Sequence, residues 1–329
     1  MAVAHAFSPK EWRVAIASDA STAGSTGIGS TMYQLDVDSI GFPTLNVNQK
    51  LDVRSGVGRT LKDEDFFQDN VMRAVEISLS GTLHVDTGHK LLVQNICNDF
   101  SGDAAVVSGF SPAELLYGTT SVSSNALSLT LVMQPSDITN QQGLEFFGCV
   151  VTSFSITAEA GTDGGQYKWS ATLMTGKKPD LASTANPTIT AYANTDIPKL
   201  SASSLHEVMN TSVILSSFTT AVESPAVFTG VASDGYQAVG RGAEIAVTSD
   251  AQVKYDGNTK GFINSFDTQS SANTEDTFVI VNNNNFGVDI ENGVFTDVAL
   301  SEGDLMMLDC SMKAVDNGTE ALVVFDLSS

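Results

Sequence analysis

One stretch of this 329-residue sequence constrains the fold more than any other. Phe147 to Met174, FGCVVTSFSITAEAGTDGGQYKWSATLM, reads as a single long β-hairpin. In its first arm Val150, Thr152, Phe154, Ile156 and Ala158 fall on one face. Val151, Ser153, Ser155, Thr157 and Glu159 fall on the other, the period of a strand with one buried face. The loop Ala160 to Gly165 supplies the glycines that a chain reversal needs, since only Gly takes positive φ cheaply. The return arm alternates as well, Tyr167, Trp169, Ala171 and Leu173 against Lys168, Ser170 and Thr172. The polar face is rich in Ser and Thr and nearly uncharged, which suits a surface that other chains cover.

The length fits two domains or one large all-β domain, at ~100–200 residues per domain. Abundant Ser, Thr, Asn, Val and Gly lean towards strands. Sixteen Lys and Arg stand against 38 Asp and Glu, a formal charge of −22. That balance disfavours the basic groove of a nucleic-acid binder and docking on anionic membranes. It favours solubility of a free subunit and permits a wall that repels nucleic acid. Cys97, Cys149 and Cys310 show no CxxC spacing and read as buried thiols in a reducing compartment. The first twenty residues lack the apolar core of a secretory signal, and no run approaches the ~18 apolar residues of a membrane helix.

Taken in order, residues 1–32 read as an arm, with Trp12 to Ala17 as a short strand in it and a Gly/Ser/Thr-rich stretch from Ser18 to Thr31. Gly24, Gly27 and Gly29 lack the Lys-Ser/Thr of a phosphate loop. Tyr33 to Ile40 reads as the first sheet strand. Asp36 to Gly41 opens like a calcium loop, but Val47 stands where the bidentate Glu belongs. Lys50 to Asn70 concentrates charge in a long loop: Arg54, Arg59 and Lys62 beside Asp63, Glu64 and Asp65. Such a loop suits contact with an acidic neighbouring subunit, where opposite charges set register. Met72 to Val85 alternates as a strand, and Leu91, Leu92, Ile96 and Cys97 follow at helical spacing. His84 and His89 flank Asp86 without further ligands close in sequence, so no metal site is read there. Ser111 to Leu116 suggests a helical turn, Ala126 to Met133 a buried strand, and Asn186 to Ser201 a linker.

An internal echo follows. Arg73 to Ser80 parallels Arg241 to Thr248 at an offset of 168 (241 − 73), with Val85 matching Val253. Asp86-Thr87-Gly88 and Asp256-Gly257 each lead into apolar residues at helical spacing, the second set being Phe262, Ile263 and Phe266. Leu129 to Val132 resembles Phe278 to Val281, and Gly148-Cys149-Val150 resembles Gly293-Val294-Phe295. The common order of these short matches implies a duplicated β domain with one helix per copy.

With these residues in view, the chain resembles a tail tube protein of a long-tailed bacteriophage. The likeness rests on Phe147 to Gly161, the return strand Tyr167 to Met174, the strand-then-helix unit Val75 to Ile96, and the loop Lys50 to Asn70. It covers roughly residues 33–180, with an echo in 225–329. The resemblance implies a mainly β fold, a duplicated tail-tube-like β-sandwich or barrel with a short flanking helix in each copy. The expected division is an arm (1–32), a first tube-like domain (33–195) and a second, shorter one (196–329). It implies a structural virion protein, made in the host cytoplasm, whose copies form stacked rings around the path of DNA. The rings are hexameric, or trimeric and pseudo-hexameric where both halves adopt the fold. Arg54, Arg59, Lys62, Asp63, Glu64 and Asp65 are then expected at contacts between rings, and Ser153, Ser155, Thr157, Lys168 and Ser170 in an inter-subunit sheet. Its partners are its own copies, other tail proteins, and passing DNA that it does not bind specifically; no membrane is involved.

No GxSxG, HExxH or Walker motif occurs, and the four histidines His5, His84, His89 and His206 are the available bases. No catalytic residue, cofactor or metal is read from the sequence. Tail terminators, decoration proteins and adhesin-like modules are the rival readings within β-rich structural proteins.

Overall fold

The structure, a computed structural model, describes residues 8–18, 31–43, 48–51, 60, 66–69, 74–97, 113–115, 128–135, 143–183, 187–193, 197–230, 235–236, 238–242, 244–269, 279–283, 286–302, 305–316 and 322–327. It is mainly β. The strands are β1 (Trp12–Ser18), β2 (Thr31–Leu35), β3 (Ser39–Gly41), β4 (Asn48–Leu51), β5 (Phe66–Asp69), β6 (Val75–Thr82), β7 (Ala113–Leu115) and β8 (Leu129–Pro135). The central group is β9 (Gly143–Glu159), β10 (Lys168–Thr175), β11 (Asp180–Ser183) and β12 (Thr188–Thr190). Then come β13 (Ser203–Val208), β14 (Thr211–Ser212), β15 (Leu215–Glu223), β16 (Ala226–Thr229), β17 (Ala238–Arg241) and β18 (Ala246–Lys254). The chain continues through β19 (Val279–Asn283), β20 (Phe286–Ile290), β21 (Gly293–Glu302), β22 (Met306–Ala314) and β23 (Val323–Asp326). Helix α1 (Thr87–Cys97) follows β6 and α2 (Gly261–Thr268) follows β18.

The hairpin legible in the sequence is β9 and β10, and it is longer than expected. β9 runs for 17 residues and belongs to two sheets. Its first half lies between β8 and β11 in a sheet ordered β12-β2-β1-β8-β9-β11. Its second half lies between β10 and β15 in an antiparallel sheet ordered β3-β6-β10-β9-β15-β18-β22-β21. The turn between sheets is made by an extra residue: Cys149 faces Leu129 but Phe146 faces Leu131, and Gly148 sits at φ 59. A bulge of this kind bends a strand, and glycine carries the left-handed conformation at little cost. A second bulge at Thr152 breaks the expected alternation. Val151 joins the main core opposite Leu173, while Val150 turns to a separate contact with Ala226 and Val239.

A third sheet is ordered β14-β13-β19-β20-β23-β7. Its last strand corrects the helical turn expected at Ser111 to Leu116: residues 113–115 pair along β23. Trp12–Ser18, assigned to an arm, is an interior strand between β2 and β8. Tyr33 to Ile40 is divided between β2 and β3, which lie in different sheets. Inside the stretch expected as a linker, β12 pairs in parallel with β2.

One continuous apolar core joins the sheets. Its residues include Ile16 and Leu35, Ile77, Trp169 and Phe154, and Val288 and Phe325, from all three sheets. Aromatic edges bridge the two halves of the chain: Tyr167 meets Phe218 at 5.5 Å and Phe286 at 4.9 Å, and Phe154 meets Phe325 at 6.2 Å. Such edge-to-face pairs contribute ~0.5–1.5 kcal/mol beyond their buried area. Helix α1 is capped by Asp86, whose Oδ1 accepts from the His89 backbone N–H at 2.9 Å. Gly81 is required by a close approach, since a Cβ there would lie 1.9 Å from the carbonyl oxygen of Asp36.

The β16–β17 hairpin reaches from the second half onto the first. Arg241 at its end donates from Nη1 to the carbonyls of Val151 and Ser224, both at 2.6 Å, and from Nη2 to that of Asn95 at 2.8 Å. Asn95 in turn accepts from the Val151 N–H at 2.7 Å. These bonds tie the last turn of α1 to the corner of β9.

Candidate functional site

The eight-stranded sheet turns its apolar face to the core and its polar face to solvent. Register places side chains in straight rows across it. One row runs Thr82, Lys168, Thr157, Thr219, Asp250, Ser311, Asp297, and the next Ser39, Ser80, Ser170, Ser155, Ala221, Thr248, Lys313. Ser153 lies one row further, opposite Thr172 and Glu223. All five residues expected in an inter-subunit sheet are thus brought to one open face. They stand on β9 and β10, however, and both strands are paired on each side within the chain. A second chain can reach them across the face but cannot add a strand beside them.

Electrostatically this face is acidic and has its cations neutralised. It carries Glu76, Glu159, Glu223, Asp250, Asp297 and Asp309 by strand alternation. Each of its lysines has a carboxylate at hand: Lys168 Nζ lies 3.1 Å from Asp38, Lys313 Nζ 2.8 Å from Glu244, and Lys254 Nζ 3.9 Å from Asp256. The bond and charge of Lys313 hold the Glu244 carboxyl below its usual range. Hydroxyls and amides fill the spaces: Ser155 bonds Ser170 at 2.8 Å, Ser311 donates to Asp250 at 2.6 Å and Gln252 to Asp309 at 2.8 Å. Surface pairs of this kind add little stability, but they leave no lone ammonium among these three to hold a phosphate.

The two ends of the same sheet are unpaired among the described residues. β3 pairs only with β6 and β21 only with β22. Apolar side chains sit near both ends: Phe42 is 41% exposed just after β3, and Leu300 is 47% exposed on β21. Leu305 and Met306, at the turn into β22, are 74% and 53% exposed. The sequence drew no attention to these four, because singly each looks like any surface residue; only register shows that Phe42 and Leu300 lie along the free edges and Leu305 and Met306 at the β21–β22 hairpin tip.

Arg54, Arg59, Lys62, Asp63, Glu64 and Asp65 lie outside the described residues. The chain on either side of them, β4 and β5, forms an antiparallel hairpin with Leu51 opposite Phe66. His84 and His89 belong to a buried joint, in which His89 Nε2 and Asp86 Oδ2 are left without a hydrogen-bond partner. His84 Nδ1 faces the Ala193 carbonyl at 3.1 Å and its Nε2 faces Asp36 at 2.9 Å, while His89 Nδ1 faces Asp86 at 2.8 Å. No cluster of His, Cys, Asp and Glu suited to a metal occurs among the described residues. The three cysteines are buried and form no disulfide, and burial pushes the thiols of Cys97 and Cys310 up to about 12. No helix among the described residues is long and apolar enough to cross a membrane. A scan against protein-family models finds no match to this chain, and a search of curated proteins finds no relative.

Proposed function

We propose that the chain is a structural subunit of a phage tail tube, a duplicated tube-like domain whose eight-stranded sheet forms an arc of a closed barrel. The observation that carries this reading is the strand order. β3-β6-β10-β9 is followed, edge to edge, by β15-β18-β22-β21, and the second run repeats the first with each strand in its corresponding place. β6 leads into α1 and β18 into α2; β8 precedes β9 as β19 precedes β20 and β21. Both long strands carry a one-residue bulge, at Thr152 and at Thr296. Beside each bulge a side-chain amide accepts the strand N–H, Asn95 from Val151 and Gln269 from Phe295.

Aligning the halves through these bulges matches Ile77 with Ser249, an offset of 172 (249 − 77) in place of the 168 read from sequence. The difference of four is even, so residues of β6 and β18 keep their faces under either alignment; β9 and β21, matched at 145 (293 − 148) in the sequence, align here at 144 (295 − 151), which exchanges their faces.

Two four-stranded runs per chain make three chains equivalent to six runs, a trimeric pseudo-hexamer. The polar face is then the wall of the channel. Its acidic character and paired lysines let DNA pass without being held. Closure removes the strand edges that an open sheet exposes. The role is architectural, not catalytic; the place is the virion tail, with other tail proteins at the tube's ends.

Electron microscopy of the purified protein at rising concentration tests the reading. Stacked rings with an open lumen are expected. Single rings that never stack favour a terminator-like role, and particles that stay monomeric at high concentration overturn the proposal.

A further inference from the structure

We infer that β21 of one copy pairs antiparallel with β3 of a second copy, continued through Phe42 and Pro43, in the register of the internal β9–β15 seam. This rests on the reading of the sheet as an arc of a closed barrel, and it specifies the residues that close it.

The chain contains its own template for the contact. At the internal seam, β9 of the first run meets β15 of the second with Thr157 opposite Thr219 and Ile156 opposite Thr220. Corresponding bulges map Val151 onto Phe295, and therefore Ile156 onto Leu300 and Thr157 onto Ser301. Pairing with the next strand maps β15 onto β3. Phe218 opposite Ala251 corresponds to Ile40 opposite Leu79, so Thr220 corresponds to Phe42. Transferred to the free edges, the seam sets Ser301 opposite Gly41 and Leu300 opposite Phe42 of the second copy.

The exposures of these residues agree with this register. Ile156 and Thr220 are both 0% exposed inside the internal seam. Their counterparts Leu300 and Phe42 are two of the few large apolar side chains left in solvent. Phe42 is held for contact by Trp12, whose ring meets it edge-on at 5.5 Å. Directly opposite residues in such a pair approach within ~4.5–5.5 Å at Cβ, so the two side chains cover each other.

The hairpin tips point the same way. Tyr167 and Gln166 correspond to Met306 and Leu305. Inside the chain, Tyr167 is buried beneath the segment that enters β13: its N–H donates to the Pro198 carbonyl, Gln166 bridges to Lys199, and Leu200 packs on Gly165. β1, which pairs with β8, corresponds to β13, which pairs with β19, and the segment that enters β1 is the turn at Ser8 to Glu11. In the second copy this turn is placed to cover Leu305 and Met306. Because β21 and β3 are different surfaces, the contact is head-to-tail and generates a ring when the rotation closes.

Cysteine cross-linking tests the seam. A Phe42→Cys/Leu300→Cys chain, with its native thiols buried, is oxidised mildly and run under denaturing conditions. Covalent dimers and closed oligomers are expected, and none from Phe42→Cys/Ala299→Cys, whose second thiol points to the opposite face. Leu300→Asp is expected to abolish oligomers while leaving the unfolding temperature of the monomer unchanged. Rings that form without the Phe42–Leu300 cross-link, or that cross-link through Ala299 instead, overturn the register while leaving the tube reading standing. Cross-linked closed rings that never stack leave the seam standing and remove the tube. A chain that stays monomeric overturns both.

Discussion

Arg241 offers the sharpest test of how the two halves are held together. Truncation to Ala removes three hydrogen bonds from a charged donor, to the carbonyls of Val151, Ser224 and Asn95. Bonds to charged groups contribute about 1.5–3 kcal/mol each, and a buried acceptor left without a partner costs about 1–3 kcal/mol. Against this stands the cost of burying the guanidinium, which pushes its pKa down to about 10. With that offset we expect a net loss of about 3–5 kcal/mol, the range for removing one partner of a buried charged interaction. Arg241→Met, which restores bulk without donors, should recover little, because the three carbonyls stay orphaned. Arg241→Lys should fall between, since a compact ammonium does not reach three carbonyls with the geometry of a guanidinium. The assay is a urea titration followed by the fluorescence of Trp169, buried beside His89, together with hydrogen exchange. Exchange should rise first in the last turn of α1 and in β16–β17. A loss below about 1 kcal/mol for the alanine variant, or full recovery by Met, would refute the view that donors rather than packing hold this joint.

Three further outcomes follow from the same geometry. Phe154→Ala opens a cavity against Phe325 in the shared core and should cost about 3–5 kcal/mol by chemical denaturation. Lys168→Glu breaks the contacts with Asp38 and Thr82 on the open face; stability should shift by no more than about 1 kcal/mol, while under the proposed tube role assembly or DNA passage changes. An unfolded Lys168 variant would mean that the two faces of the sheet have been exchanged. Burial, with Glu291 and Glu207 adding to it, raises the Asp289 carboxyl from 3.8 to about 7. An acid raised in the folded state binds its proton more tightly there, so its stabilisation is complete below pH ~4 and is lost as pH rises through 7. The unfolding temperature should therefore fall between pH 5 and pH 8, and Asp289→Asn should flatten that slope.

Local periodicity accounts for what was legible. β10 alternates cleanly because Trp169, Ala171 and Leu173 share one buried face from end to end, and α1 shows its apolar stripe for the same reason. Bulges hid the rest. At Thr152 an extra residue moves Val151 into the core, and since Val150 and Val151 are both apolar, no pattern marks the switch. Trp12–Ser18 looked like part of an arm because its partner β8 begins more than a hundred residues later. Ala113–Leu115 follows a Ser-Pro that reads as a helix start, but the strand is imposed by β23, far away in sequence. The open face was visible as a row of Ser and Thr; the free edges were not, because an edge is defined by which pairings are absent. Arg241 stood out only as the start of the internal repeat, and nothing marked its role as a joint, since a single Arg before a strand resembles any surface cation until its three carbonyls are in place.

The pairing of β7 with β23 also orders events in time. Leu115 lies opposite Val323, so a strand made early in synthesis has no partner until more than two hundred further residues have left the ribosome. Contacts of such sequence separation form late and slowly. β1 waits in the same way for β8, and β2 for β12. A nascent chain therefore cannot complete its third sheet before β23 has been made.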